Sequence, residues 1–150
     1  MYLCVQSLYI IVVAGHATQS NSGQDFAVAR YKPDGTLDTA FGKGGIVITP
    51  VGSSTVDSAQ SVVVQPDGKV VAAGYSGTSS QYQLALARYD ADGSLDTAFN
   101  ASGSKPGTVT TTVGSAPDSR IYAAALEPDG KIVVGGASGS SSAYKVMVAR

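Results

Sequence analysis

Phe26-Ala-Val-Ala-Arg-Tyr-Lys-Pro-Asp-Gly-Thr-Leu-Asp-Thr-Ala-Phe41 returns 58 positions later as Leu84-Ala-Leu-Ala-Arg-Tyr-Asp-Ala-Asp-Gly-Ser-Leu-Asp-Thr-Ala-Phe99. A second block, Val64-Gln-Pro-Asp-Gly-Lys-Val-Val-Ala-Ala-Gly74, recurs after 62 positions as Leu126-Glu-Pro-Asp-Gly-Lys-Ile-Val-Val-Gly-Gly136. Such self-similarity marks a repeat protein, in which each unit is one supersecondary element whose apolar face only its neighbours can cover. The N-terminal stretch joins the pattern. Shifted by 59, Val5-Gln6 falls on Val64-Gln65 and Ile11-Val-Val-Ala-Gly15 on Val70-Val-Ala-Ala-Gly74. This reading is preferred to a secretory signal, because no positive charge opens the segment and its apolar run is shorter than the roughly 18 to 20 residues of a membrane span. In this copy Ser7-Leu-Tyr-Ile10 replaces the Pro-Asp-Gly-Lys turn.

The middle copy defines the unit. Ser61-Val-Val-Val-Gln65 is β-branched and ends at Pro66-Asp-Gly68, where proline presets φ and glycine accepts positive φ. Lys69-Val-Val-Ala-Ala-Gly74 is then the returning strand of a hairpin. A Gly/Ser/Thr loop over Ser76–Ser80 leads to Gln83-Leu-Ala-Leu-Ala-Arg-Tyr89, a second turn at Asp92-Gly93, and a last strand at Thr108-Val-Thr-Thr-Thr112. Applied to the whole chain, the unit predicts strands near 2–6, 10–16, 25–31, 45–50, 60–65, 69–75, 83–89, 107–113, 121–127, 131–137 and 145–150. The copies divide as 1–52, 53–114 and 115–150. The third reaches Arg150, the counterpart of Arg30 and Arg88, without its fourth strand, so the chain reads as a fragment of about two and three-quarter units.

Alternation along the third strand sets the packing. Phe26, Val28 and Arg30 point one way and Ala27, Ala29 and Tyr31 the other, and Leu84 to Tyr89 repeat this. Both faces are largely apolar, one bulky and one small, which suits sheets sandwiched between neighbours rather than wetted on one side. Four-stranded antiparallel units of this length stacked face to face are the blades of a β-propeller. A β-trefoil is the alternative, three units of four strands closing as one domain; unit lengths of 58 to 62 and the unfinished third copy favour the propeller.

The 18 glycines and 8 tyrosines, with many Val, Ser and Thr, favour strands and tight turns, so the fold class is all-β with almost no helix. A net charge of −1 with scattered Lys and Arg removes the electrostatic footprint of a nucleic-acid or anionic-membrane binder. One cysteine, Cys4, and one histidine, His16, cannot build a disulfide framework or a Cys/His zinc site.

The two motifs together, Phe26 to Gly42 and Val64 to Gly74, resemble the delta-60 repeat, a bacterial β-propeller repeat of unknown function, and the likeness runs from Val5 to Arg150. It implies propeller blades of a large bacterial protein, extracellular or in the cell envelope, and brings no catalytic residues with it.

Candidates for chemistry are few. Asp90, Asp92 and Asp96 alternate around Gly93 in the manner of a calcium loop, but Lys32 stands at the position of Asp90 in the first copy, and Asp-Gly is ordinary turn chemistry. Arg30, Arg88 and Arg150 recur with Asp38 and Asp96 and with Phe41 and Phe99, either ringing a ligand channel or forming a repeated ion pair that knits adjacent units. His16, the one histidine available as the base of a Ser-His-Asp triad, occupies a position held by Tyr75 and Ala137 elsewhere and reads as a strand-end residue. No residue points to catalysis, to a metal or to a cofactor. The expectation is a non-enzymatic structural or interaction module, with a propeller hydrolase or lyase whose active site lies outside this chain, or a calcium- or sugar-binding adhesive module, as alternatives. Its expected partners are other blades of a parent propeller, a second copy of this chain, or a protein or carbohydrate ligand. The outer units should each leave an apolar face open: Phe26 and Val28 or Ala27 and Ala29 at one end, Val146 and Val148 or Met147 and Ala149 at the other.

Overall fold

Residues 2–6, 10–52, 55–78, 81–140 and 143–150 are described by the computed structural model, and they form eleven strands and no helix. The first sheet holds β1 (Tyr2–Gln6), β2 (Ile10–Gln19), β3 (Gly23–Tyr31) and β4 (Ile46–Thr49). The second holds β5 (Val56–Val64), β6 (Val70–Gly77), β7 (Tyr82–Tyr89) and β8 (Thr108–Thr111), and the third β9 (Asp118–Leu126), β10 (Ile132–Ser140) and β11 (Ala143–Ala149). Each is an antiparallel meander in chain order. One parallel bridge, Gln24 to Val56, links the first two sheets where β4 has ended and β5 begins. The replaced turn of the first hairpin, Ser7–Tyr9, lies outside the described residues.

The repeated turns form as their composition dictates. The Gly35, Gly68, Gly93 and Gly130 amides donate to the carbonyls of Lys32, Gln65, Asp90 and Glu127, at 2.9 Å in each case. These glycines have φ between 81° and 86°, a left-handed conformation that a side chain resists. The aspartate before each glycine accepts the amide two residues on: Asp34 from Thr36, Asp67 from Lys69, Asp92 from Ser94 and Asp129 from Lys131.

Several strands run further than their composition suggests. β6 continues to Gly77 through the first part of the Ser76–Ser80 loop, and β2 and β10 continue to Gln19 and Ser140. Small residues allow this: a Cβ on Gly77 would lie 2.0 Å from the Gln81 carbonyl, and one on Gly139 2.1 Å from that of Ala143. β5 begins at Val56, before the expected 60, because Val56 to Ser58 pair with Gly77 to Tyr75 across the bulge at Gln60. A matching bulge falls at Tyr122 in β9. Opposite these bulges, Gly74 and Gly136 meet the Ser58 and Arg120 carbonyls so closely that an added Cβ would sit at 2.0 and 1.9 Å.

The two faces of each sheet pack as the alternation demands. From the first sheet Val12, Ala14, Phe26 and Val28 enter a core completed by Ala59, Val62, Val64, Val70, Ala72, Ala85, Ala87 and Tyr89 of the second. The opposite face of the second sheet sends Val71, Ala73, Leu84 and Leu86 against Ile121, Val134 and Met147 of the third. At both interfaces the face that carries Phe26 and Val28, or Leu84 and Leu86, meets the face of the following sheet that carries Ala85 and Ala87, or Met147 and Ala149. Fully burying one such Leu, Val or Phe contributes about 1.5 to 3 kcal/mol. This also settles which outer faces are bare: Phe26 and Val28 are buried and Ala27 and Ala29 lie outward, whereas Met147 is buried and Val146 and Val148 are exposed.

The chain crossing between sheets is clamped in the same way twice. Asp57 Oδ2 accepts the Val51 amide at 2.7 Å, and Ser119 Oγ accepts the Val113 amide at 3.3 Å. Strand register makes these positions equivalent, since Asp57 lies opposite Ser76 and Ser119 opposite Ser138.

Candidate functional site

The recurring Arg, Asp and Phe come together inside each copy. Arg30 Nε donates to Asp38 Oδ2 at 2.8 Å and Arg88 Nε to Asp96 Oδ2 at 2.7 Å. Each guanidinium also lies over a ring, Arg30 at 4.7 Å from the centre of Phe41 and Arg88 at 4.6 Å from that of Phe99. The sequence makes this local. The strand-end arginine and the aspartate eight residues later flank the Asp-Gly turn, and the Asp38 and Asp96 amides donate back to the Arg30 and Arg88 carbonyls at 2.9 Å. The ion pair therefore closes within a unit and does not bridge two. What crosses to the next unit is the far side of one guanidinium, since Arg30 Nη1 donates to the Ala91 carbonyl. Beside it the Gly42 amide donates to the Asp92 carbonyl at 2.7 Å, an approach in which a Cβ on Gly93 would lie 2.5 Å from the Gly42 nitrogen. Arg150 stands apart, exposed and 3.5 Å from Glu127.

The three carboxylates weighed as a calcium loop are engaged elsewhere. Asp90 pairs with Lys69, and Asp96 lies between Arg88 and Lys69, the latter at 3.3 Å. Asp92 Oδ1 accepts the Ser94 hydroxyl at 2.6 Å and its amide at 2.8 Å. Two cations thus sit where a divalent ion would compete for Asp90 and Asp96. Burial pushes the Asp96 carboxyl up, but hydrogen bonds from the Ala98 amide, Arg88 and Lys69 together outweigh it and hold its pKa below the ordinary carboxylate value.

A second cluster breaks the repeat, and the sequence reading missed it. By register Asp118, Arg120 and Tyr122 on β9 occupy the places of Val56, Ser58 and Gln60 on β5. Arg120 holds Asp118 with two parallel bonds of 2.9 and 2.8 Å. Its guanidinium reaches the preceding blade, 4.2 Å from the ring centre of Tyr82 and 5.4 Å from that of Tyr75, rings that meet edge to face at 4.9 Å. Tyr144 donates its hydroxyl to Asp118 Oδ2 at 2.6 Å. Burial raises the Asp118 pKa, and the bonds from Arg120 and Tyr144 more than offset it. Tyr122 and Tyr144 are about half-exposed, at 51% and 48%. The available signal was Arg120 itself, a charge at a strand position held by serine in the second copy.

His16 does meet a serine. Its Nδ1 lies 3.2 Å from Ser58 Oγ across the first interface, yet Ser58 is buried and its oxygen also accepts Gln60 Nε2 at 2.9 Å. Among the described residues no carboxylate hydrogen-bonds His16. Asp25 and Asp57 are buried near the start of β5, each with one carboxylate oxygen bonded, to Ser22 at 2.5 Å and to the Val51 amide, and one that meets no partner among the described residues. The Tyr89 hydroxyl is likewise enclosed; burial pushes its pKa up to about 12, and the neighbouring Thr49 hydroxyl offsets part of that rise without completing a bond.

Two outcomes follow for the Arg88 pair. Arg88→Ala leaves the nearly enclosed Asp96 carboxylate with Lys69 and the Ala98 amide but strips its shortest bond, which costs about 1 to 3 kcal/mol. Lys105→Ala, on a half-buried loop lysine that loses one hydrogen bond to the Pro50 carbonyl, costs less, about 0.5 to 1 kcal/mol, and urea unfolding of the two variants checks the difference. Because the folded-state pKa of Asp96 is depressed, its stabilisation is present above the unfolded-state value of about 3.9 and fades as pH falls through the folded value. Asp96→Asn should then be less stable than the unsubstituted chain at neutral pH, and the gap should narrow steadily in unfolding curves taken below about pH 4.

Comparison with known proteins agrees with this architecture. No curated protein matches the sequence. A family model described as "Domain of unknown function (DUF5122) beta-propeller" matches residues 11–41, 65–99 and 127–147, one segment in each unit and together more than half of the chain. The delta-60 likeness of the motifs and this match point to the same repeat, and the chain belongs to the DUF5122 β-propeller family.

Proposed function

We propose that this chain is a non-catalytic propeller segment that serves as a structural and interaction module of a larger extracellular or envelope protein. The observation that carries the reading is the disposition of its polar groups. The repeated Asp, Arg and Lys residues are engaged in turns, in the Arg30 and Arg88 pairs, and in clamps on the chain between sheets. At Tyr75, Arg120 and Tyr122, where the repeat changes, and at Tyr82 and Tyr144, which share one position in the second and third copies, the residue types are those enriched at protein interfaces, with large rigid rings and a guanidinium held in place by Asp118. The extracellular or envelope setting rests on the delta-60 resemblance.

The enzyme alternative places its active site outside this chain; a separate reading, hydrolase or lyase chemistry within the chain, would have to use the His16–Ser58 pair, whose atoms lie 3.2 Å apart. Incubation of the purified chain with chromogenic ester, glycoside and uronide substrates should give no turnover above buffer. Turnover that Ser58→Ala abolishes would overturn the non-catalytic reading.

A further inference from the structure

Among the described residues four aspartates are buried: Asp25, Asp57, Asp96 and Asp118. Asp96 is neutralised by Arg88 and Lys69, and Asp118 by Arg120. Asp25 and Asp57 are as enclosed, at 2% and 0% exposure, and no cationic side chain among the described residues pairs with either. Each has one oxygen satisfied. Asp25 Oδ2 accepts the Ser22 hydroxyl at 2.5 Å, and Asp57 Oδ2 accepts the amides of Val51 at 2.7 Å and Gly52 at 3.4 Å. Oδ1 of each is sealed from the surface within this chain and meets no donor among the described residues. A neighbouring blade could not reach these oxygens, so whatever answers them is enclosed with them.

The backbone places the two groups side by side. Gln24 and Val56 form the parallel bridge between the first two sheets, and the Gln24 amide donates to the Thr55 carbonyl at 2.9 Å. Gly23, with φ at 87°, lets the strands approach: a Cβ there would lie 2.3 Å from the Thr55 oxygen. Asp25 and Asp57 are the next residues on the two strands, so they leave the same side of neighbours that run about 5 Å apart. The acid pair is confined to this interface. At the second interface its counterparts are Gln83 and Ser119, both neutral, and the Ser119 hydroxyl is satisfied by the Val113 amide and Ser138.

Two like charges held this close and away from water repel, and buried carboxylates persist when they are paired or bound to a metal. We propose that Asp25 and Asp57 together bind one calcium ion, which fastens the first sheet to the start of the second. Two carboxylates call for a divalent partner, and an oxygen donor set suits a hard cation rather than zinc. Calcium takes about six to eight oxygens in a flexible arrangement, backbone carbonyls included, whereas magnesium sheds its water reluctantly and fits an enclosed site poorly. Because the site forms only when β3 and β5 meet, binding is coupled to folding.

Titration calorimetry and thermal melts on the whole chain, first freed of metal with a chelator, test this with calcium chloride alone. One calcium should bind per chain, and millimolar calcium should raise the melting temperature by several degrees over the chelated protein. Magnesium should raise it less; an equal shift would overturn calcium as the occupant. Asp25→Asn and Asp57→Asn should each weaken calcium binding at least tenfold. Should either fail to fold, Asp25→Gln combined with Asp57→Ser puts the residues of the second interface in their place, and this variant should melt cooperatively and gain nothing from calcium. Absence of binding up to millimolar calcium would overturn the site. So would binding that survives the double variant and is lost in Asp90→Asn, which would move the ion to the Asp92–Gly93 turn. A metal-free chain that grows more stable as pH falls from about 7 to about 5, with no response to calcium, would show that the two carboxyl groups share a proton instead.

Discussion

Everything in this molecule depends on one packing constraint: the second sheet is buried on both sides, with large side chains on one face of its third strand and small ones on the other, and the first and third sheets are each buried on the side that meets it. Leu84-Ala-Leu-Ala87 is the plainest case, all four side chains being buried, the leucines toward the third sheet and the alanines toward the first. Interiors pack at the density of organic crystals, so a face of Phe26 and Val28 needs an opposite face that recedes. Ala72, Ala85, Ala87 and the side-chain-free Gly74 supply it. The same arithmetic of volumes, repeated along the chain, fixes the spacing of the blades.

Polar groups follow from that constraint. Sheet faces buried against a neighbour leave their polar chemistry to edges and connections, and those are stabilised by short, local bonds: aspartate to amide in each Asp-Gly turn, Asp57 and Ser119 on the crossings between sheets, arginine to aspartate over a ring at the ends of β3 and β7. Arg30 shows how one side chain serves two levels of structure, pairing with Asp38 inside its blade and reaching the Ala91 carbonyl of the next. Tyr–Arg contacts across the second interface add a feature that the first does not show among the described residues, because the third copy carries Arg120 at the place of Ser58.

Much of the fold was legible because repetition turns single residues into patterns. Strand order, the Asp-Gly turns and the bulky and small faces could all be read from residues 26–41 against 84–99. Which face meets which neighbour could not: alternation is symmetric, and only burial of Phe26 and Val28 beside exposure of Val146 breaks the tie. The Arg30 and Arg88 pairs illustrate a different limit. Residue type and recurrence pointed to an ion pair, but spacing along the chain does not say whether it closes inside a unit or between two. The Asp118–Arg120 cluster escaped because Asp-Ser at 57 and 118 align in sequence one residue out of step with the strand register, which hides the substitution of Ser58 by Arg120.

The most direct test of the packing constraint inverts it without changing composition. Exchanging the four residues of the central strand, with Leu84→Ala, Ala85→Leu, Leu86→Ala and Ala87→Leu together, keeps hydrophobicity while turning the bulky face backward. Two buried Leu→Ala changes cost about 2 to 5 kcal/mol each, and two overpacked alanines about 1 to 3 each, which together approach or exceed the 5 to 15 kcal/mol that holds a typical domain folded. Calorimetry should show the cooperative thermal transition lost in the exchanged chain. A transition retained within a few degrees of the original would contradict the claim that the faces, and not apolar content alone, hold the blades together.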